Sequence, residues 1–210
     1  MFYFILYLLL DVIPLLLILL PLLILWQRLC YKNKQISRYL LLILFSGYLF
    51  AVFNLTGFPC LGTLSPETNV NLVPFSTISE FSVHTILNVL LFVPFGFLLP
   101  ILWNSFSNGI RTILVGFAFS LLIELSQLLT FRVTDIDDLI TNTLGTLVGS
   151  LIALLYLHIV KNHKDTISEN KKTHTTKADL IEFSLLLSEV LCVWFFISPI
   201  IMNVLYSLEL

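Results

Sequence analysis

Six long runs of apolar residues constrain the fold of this chain more than any other feature of its sequence. A membrane-spanning helix needs about 20 mostly apolar residues. Only 11% of the 210 residues are charged and 58% are hydrophobic, whereas a soluble domain carries about 25% charged residues. The sequence therefore predicts an all-α polytopic membrane helix bundle with about six transmembrane helices. The predicted spans are residues 6–27, 39–57, 84–103, 111–130, 138–159 and 180–206.

The basic residues are distributed unevenly between the two sides that six spans would define. Arg132 lies on one side, and the other ten of the 11 lysines and arginines lie on the opposite side. Because cytoplasmic loops carry the excess of basic residues, both termini are expected outside. The first span lacks a basic segment before it and a small-residue cleavage site after it, so we expect a retained helix rather than a cleaved signal. We expect a multi-pass protein of the cell membrane.

The same pattern divides the chain into four segments. Two N-terminal transmembrane helices occupy residues 1–58, and a core with an outer loop and three transmembrane helices occupies residues 59–160. A polar, lysine-rich cytoplasmic linker follows at residues 161–178, and a C-terminal transmembrane helix at residues 179–210. The net charge of −2 does not indicate a nucleic-acid partner, and membrane lipids are the partners that this composition implies. The cysteines have no metal-ligand spacing, and we expect neither a metal nor a cofactor.

Polar residues recur in the three spans of the core, near the ends that are predicted to face outward. Spacings of three and four residues place several of them on single helix faces. An aspartate facing lipid at a helix centre costs about 2.5–3.5 kcal/mol, so these side chains are expected to point toward one another. We call them the polar cluster. Its predicted members are Asn88, Glu124, Gln127, Asp135, Asp138 and Asn142.

These residues also have structural explanations. Buried amides and carboxyls can hold neighbouring helices together. Thr134 or Asp135 could cap the span that follows, with an acidic residue three positions on, as in a capping box. We favour capping over chemistry for Asp135 and Asp137, because acidic residues suit a helix N-terminus. Asp138 is different because it lies four residues before Asn142, on the same face of the predicted helix.

Proline and glycine are placed where they affect helix packing. Pro94 lies within a predicted span, where it cannot donate a hydrogen bond to the carbonyl of Leu90. Together with Gly96 it predicts a kink, which could open a cavity or be only a packing bend. Gly145 and Gly149 are four residues apart, and such a small-xxx-small pair lets a neighbouring helix approach closely.

The outer loop before this core contains two further local patterns. The sequence NLVPF, residues 71–75, is too short to cross a membrane and could fold back as a lid over the polar cluster. Thr77 and Glu80 have the spacing of a capping box, so a helix is expected to begin near Ile78.

Four motifs in this order and spacing, NLVPF, NVLLFVPFGFLL, IELSQLLT and TDIDDLITNTLGTLVG, resemble the VanZ-like family of bacterial membrane proteins. The resemblance covers residues 69–155. It implies a role in the cell envelope, because the founding member of the family is associated with low-level resistance to the glycopeptide teicoplanin. It supplies no reaction. The matching positions outside the polar cluster are Asn71, Pro74, Phe75, Phe92, Pro94, Gly96, Gly145 and Gly149.

The resemblance and the polar cluster together favour a non-enzymatic protein that gives or modulates glycopeptide resistance. An outward-facing polar pocket would bind a lipid-linked cell-wall precursor or a lipoglycopeptide. One alternative is an intramembrane enzyme acting on a lipid headgroup or cell-wall precursor. Glu124 and Asp138 would then be an acid–base pair or would hold Mg²⁺ or Ca²⁺. Against that reading, no serine or cysteine nucleophile lies beside a histidine.

A second alternative is a transporter or channel subunit. Helix-breaking residues within a span weakly favour this class, and the absence of an inverted repeat weighs against it. The sequence indicates neither the oligomeric state nor the identity of the ligand.

Overall fold

The computed structural model describes residues 36–65, 69–74, 83–164 and 176–197, together with residues 21, 199–200, 203 and 207. Within this part of the chain, five helices are long and apolar enough to cross a membrane. The predicted all-α membrane helix bundle is therefore confirmed. The predicted span at residues 6–27 falls almost entirely outside the described residues. The count of six spans and the external position of both termini thus stay predictions.

The helices follow the apolar runs of the sequence, with ends displaced by a few residues. They are α1 (Ile36–Thr56), α2 (Val83–Leu102), α3 (Gly109–Gln127), α4 (Ile136–Lys164) and α5 (Thr176–Cys192). A short 3₁₀ helix, Asn104–Phe106, joins α2 to α3, and a π-helical turn, Val193–Ile197, follows α5. Both α4 and α5 extend into the segment predicted as a cytoplasmic linker, because polar residues can continue a helix beyond the lipid.

Local sequence explains two of the helix ends. Gly57 follows α1 with a φ of 66°, a conformation that favours glycine because it has no Cβ. The backbone nitrogen of Phe58 donates to the backbone oxygen of Phe53 over 2.9 Å, which completes the glycine-based C-terminal cap known as a Schellman motif. At the start of α3, the side-chain oxygen of Asn108 accepts from the backbone nitrogen of Ile110 over 3.1 Å, so Asn108 is an N-cap.

The chain divides into two compact units. One is drawn from residues 1–66 and 181–210, and the other is residues 67–180. The second unit contains most of the residues that the sequence analysis selected, and the candidate site is described within it alone.

Aromatic rings and an ion pair stabilise the first unit. The rings of Phe50 and Trp194 meet edge to face with centroids 4.8 Å apart. The indole nitrogen of Trp194 also donates to the backbone oxygen of Phe58 over 3.1 Å. Arg38 pairs with Glu182, whose side chain is only 1% exposed. A buried charge is tolerated when it is paired, so Arg38 explains how Glu182 can lie within an apolar helix.

The second unit combines α2, α3 and α4 with a very short parallel sheet. Strand β1 (Val70–Asn71) pairs with strand β2 (Thr134–Asp135), with Val70 opposite Thr134 and Asn71 opposite Asp135. Parallel strands require a long crossover connection, and here that connection contains α2 and α3. The sheet therefore fixes the start of α4 against the segment that precedes α2.

Glycines bring α2 and α4 into close contact. A Cβ added at Gly145 or Gly149 would overlap backbone oxygens of α2, and one added at Gly96 would overlap the backbone oxygen of Thr146 on α4. The predicted small-xxx-small pair, Gly145 and Gly149, thus lies in the α2–α4 interface. Any larger residue at these positions would push the two helices apart.

Aromatic packing continues the core of this unit toward α3. Phe92 is fully buried, and the rings of Phe95 and Phe119 stack with centroids 4.8 Å apart. Pro94 is exposed on α2, which continues as a helix beyond it. Gly96, which was predicted to kink this helix together with Pro94, is buried in the contact with α4. The structure thus ties Gly96 to close packing.

Candidate functional site

Asp135 is bonded to three different parts of the second unit. Its carboxylate accepts from the side-chain amide of Asn71 over 3.2 Å and from the backbone nitrogen of Asp137 over 2.9 Å. Its own backbone nitrogen donates to Oε2 of Glu124 over 2.9 Å. Asp135 therefore connects strand β1, the first turn of α4 and the last turns of α3.

Helix capping accounts for part of this arrangement. Asp135 immediately precedes α4, and its bond to the backbone nitrogen of Asp137 is the one expected of an N-cap. Thr134, the other candidate for the cap, donates instead to the backbone oxygen of Glu124 over 3.0 Å. Asp137 and Asp138 both lie in the first turn of α4, where the positive end of the helix dipole favours acidic side chains.

The carboxylates of the polar cluster are close neighbours. Glu124 is only 3% exposed. Asp138 accepts from the side-chain amide of Asn88 over 2.6 Å, and this bond joins α4 to α2. Glu124, Asp135 and Asp138 interact electrostatically with one another. Two helices and one strand thus bring three carboxylates into one region at the α3–α4 connection.

Asn142 lies one turn along α4 from Asp138 and is 3% exposed. Its amide nitrogen donates to the hydroxyl of Ser120 on α3 over 3.0 Å. Its amide oxygen is buried and has no hydrogen-bond partner among the residues that the structure describes. Exchanging the two amide atoms would leave the nitrogen unpaired instead, so either orientation leaves one polar atom unsatisfied. An unsatisfied buried polar group costs about 1–3 kcal/mol.

Gln127, the remaining predicted member of the polar cluster, is the last residue of α3 and is 4% exposed. Its backbone oxygen accepts from the backbone nitrogen and the hydroxyl of Thr130, over 2.9 and 3.1 Å. The backbone of Gln127 therefore stabilises the turn that ends α3.

Two basic side chains lie near the carboxylates. His84 and Arg132 both interact electrostatically with Asp138, and both are exposed. Neither is buried, and no lysine, arginine or histidine among the described residues is buried in this unit. No group of three or more histidine, cysteine, aspartate or glutamate side chains among the described residues is arranged to hold a metal ion.

Sequence reasoning missed the role of Asn71, which it predicted only as a motif position. Its amide reaches Asp135 because strands β1 and β2 place the two residues opposite each other. Two-residue strands have no periodicity to detect, so no pattern in the sequence indicated this contact. Pro74 is exposed in the turn after β1. Phe75, the predicted capping box and part of the predicted lid lie outside the described residues.

The fold and this cluster define a class: a polytopic helical membrane protein with hydrogen-bonded carboxylates and amides at one end of a three-helix unit. Comparison with known sequences gives the family. The model of the VanZ/LLP1 family matches residues 4–161, and the chain belongs to that family. The match begins well before residues 69–155, on which the resemblance in sequence motifs was based.

One curated relative supports this assignment. The chain is 33% identical over 107 residues to "Protein VanZ" of Enterococcus faecium. The aligned region is 48% of this chain and 63% of that protein, so the chain spans less than two thirds of the length of this relative. No solved structure matches the chain.

Proposed function

We propose that this protein gives or modulates resistance to the glycopeptide teicoplanin, and that it does so in the cell membrane by binding an amphiphilic or lipid-linked ligand at the polar cluster. The observation that carries this proposal is the environment of Glu124. Its side chain is 3% exposed within an apolar helix, and its carboxylate neighbours are Asp135 and Asp138. Membership of the VanZ/LLP1 family supports the link to resistance.

The clustering of like charges argues for binding rather than for helix association alone. Ionisable residues within membrane helices are costly, and they are usually paired or functional. A carboxylate whose only task is to join helices gains most from a cationic partner, as Glu182 does from Arg38 in the first unit. Glu124 has carboxylates as its neighbours instead, and like charges repel one another.

The surroundings of the polar cluster suit an amphiphilic ligand. The distribution of lysine and arginine predicts that the α3–α4 connection faces outward, where lipid-linked cell-wall precursors and membrane-anchored lipoglycopeptides are found. Large apolar side chains are also exposed beside both strands of the short sheet. They are Val70, Leu72, Val73, Phe131 and Val133.

Drug susceptibility tests this proposal directly. The full chain is expressed in a susceptible Gram-positive host, and growth inhibition by teicoplanin and vancomycin is compared with that of an empty-vector strain. We expect lower susceptibility to teicoplanin with the wild-type chain and loss of this effect with Glu124→Gln. The matched control is Glu189→Gln, which neutralises an intramembrane carboxyl of α5, in the other unit. No change for either drug would contradict the proposal.

The proximity of Glu124 and Asp138 also favours a second candidate, an intramembrane enzyme that uses them as acid and base on a lipid headgroup or cell-wall precursor. Mass spectrometry of lipid extracts separates the two candidates. A new lipid product that requires the wild-type chain and disappears with Glu124→Gln would favour the enzyme. Altered susceptibility with an unchanged lipid profile would favour binding. Full resistance with Glu124→Gln would exclude acid–base chemistry at this residue.

A further inference from the structure

The polar cluster offers more hydrogen-bond acceptors than the described residues satisfy. A carboxylate can accept about four hydrogen bonds. Glu124 accepts from the backbone nitrogen of Asp135, and Asp138 accepts from the amide of Asn88. Acceptor capacity therefore remains on both carboxylates at the point where α3 and α4 meet.

Asn142 adds an observation that is independent of the carboxylates. Its side chain is 3% exposed, and its amide oxygen has no partner within the described part of the chain. The amide is directed between α4 and α3, because its nitrogen reaches Ser120, one turn before Glu124. A buried acceptor without a donor, adjacent to a group of carboxylates, indicates that a donor is supplied from elsewhere.

The charge and the geometry together select the kind of donor. The two nearby basic side chains, His84 and Arg132, are exposed, while Glu124 is buried. A phosphate or carboxylate would meet like charge at this site, whereas a cation would be attracted. The described residues include no group of three side chains suited to a metal ion. An ammonium group has three N–H donors and a compact positive charge. These suit a group of carboxylate and amide oxygens that can all accept hydrogen bonds.

We propose that the polar cluster recognises a primary ammonium group carried by an amphiphile. This inference rests on the proposed function, because it specifies the ligand chemistry of the same site. The alkyl part of the amphiphile would lie against the exposed apolar side chains that flank strands β1 and β2, such as Leu72 and Phe131. The ammonium would be held by Glu124, Asp138 and the amide oxygen of Asn142. Its source is either an amine-bearing lipid headgroup or a separate amphiphilic molecule.

The test uses the full chain in nanodiscs of phosphatidylglycerol and phosphatidylcholine, which contain no primary amine. The readout is the NMR signal of the Asn142 side-chain amide, assigned by its absence in Asn142→Leu. We expect dodecylamine to shift this signal saturably, and its N-acetyl derivative, which has lost the charge, to leave it in place. An equal response to both probes, a stronger response to dodecyl phosphate, or no response to any probe would overturn the proposal.

Two variants connect the response to the carboxylates. Asp138→Asn keeps the shape of the side chain and an acceptor for Asn88, and it should weaken dodecylamine binding at least tenfold. Glu189→Gln removes one carboxyl outside this unit and should bind like the wild type, which controls for general attraction of the amine to the protein–lipid particle. Circular dichroism verifies that both variants are folded. Equal affinity of Asp138→Asn and the wild type would contradict the proposal.

A second arm identifies the source of the amine. Part of the phosphatidylcholine is replaced by phosphatidylethanolamine, which has the same phosphate but a primary ammonium. A shift of the Asn142 signal without added probe, together with weaker dodecylamine binding, would identify a lipid headgroup. Response to dodecylamine alone would identify a separate amphiphile. Intact amine binding with unchanged teicoplanin susceptibility would contradict the proposed function but support this inference. Lower teicoplanin susceptibility without amine binding would support the proposed function and contradict this inference.

Discussion

The two ends of α3 hold buried carboxylates in opposite environments. Beside its start, Asp179 of α5 is 2% exposed and accepts from the backbone nitrogen and the hydroxyl of Ser105, over 3.1 and 3.0 Å. Near its other end, Glu124 is equally buried but has two further carboxylates, Asp135 and Asp138, as neighbours. One end supplies two hydrogen-bond donors to a carboxylate, whereas the other supplies one donor and places two more carboxylates nearby.

This difference distinguishes an acid that stabilises packing from the acid that we propose to be functional. Hydrogen bonds to a charged group contribute about 1.5–3 kcal/mol each, so the bonds between Asp179 and Ser105 stabilise the contact of the first turn of α5 with the α2–α3 connection. The hydroxyl of Thr112 adds a bond to the backbone oxygen of Phe106 over 2.7 Å in the same region. In the polar cluster, the carboxylates of Glu124 and Asp138 each accept one hydrogen bond from the described residues. We attribute the resulting cost in free energy to the proposed binding function.

The largest effect on stability is expected for Asp179→Ala, which would leave the buried backbone nitrogen and hydroxyl of Ser105 without their acceptor. We expect a loss of about 3 kcal/mol in the free energy of unfolding, measured by titration of the detergent-solubilised protein with SDS. Asp179→Asn keeps one acceptor and should lose less. Drug susceptibility per folded molecule should not change with either variant. An unaltered unfolding curve for Asp179→Ala would show that the two ends of α3 do not differ in this way.

An intermediate effect is expected at Gly96, within the packed region that lies between the two ends. A Cβ at this position would overlap the backbone of Thr146, so Gly96→Ala should lower the free energy of unfolding by about 2 kcal/mol. Gly47 in α1 is the matched control, because an added Cβ there meets nothing within 4 Å. Gly47→Ala should stabilise the protein slightly through helix propensity. Equal changes for the two glycines would show that α2 and α4 can separate without cost.

The smallest effect on stability is expected for Asn142→Leu in the polar cluster. This change removes the bond to Ser120, but it also removes a buried amide oxygen that has no partner among the described residues. We expect the free energy of unfolding to stay within about 1 kcal/mol of the wild-type value, while teicoplanin resistance is lost. A loss of stability as large as that of Asp179→Ala would assign Asn142 a structural role.

Much of the fold could be predicted because lipid imposes a simple requirement on the sequence. A helix that crosses a bilayer needs a long apolar run, and each described span follows one such run. The ends of α4 and α5 were less predictable, because helix continues through Lys164 and begins again at Thr176, where the sequence is polar. Hydropathy measures contact with lipid, and it says little about where a helix ends outside it.

The candidate site was predictable along each helix but not between helices. The spacing of Asp138 and Asn142 placed them on one face of α4, whereas no pattern in the sequence indicates that Asp138 bonds Asn88 or that Asn142 bonds Ser120. These partners are set by the close approach of helices at glycines, and contact of that kind has no periodicity along the chain. The functional role of the polar cluster stays a prediction.

The attachment of Asp179 to Ser105 was missed for a different reason. An acidic residue in the first turn of a helix is usually explained by the helix dipole, and Asp179 occupies that position in α5. Its partner is 74 residues earlier in the chain. Local sequence therefore offered a sufficient explanation, and nothing in it indicated a distant one.

The pairing of β1 with β2 determines when the protein can acquire its polar cluster during synthesis. The bond between Asn71 and Asp135 joins residues 64 positions apart, and the N-terminal part of a chain emerges from the ribosome first. Asn71 must therefore wait while α2 and α3 enter the bilayer, and the cluster closes only when β2 and the start of α4 have been translated. A chain arrested before that point would display Glu124 without its backbone donor, so assembly of this region reports that translation has reached the third helix of its unit.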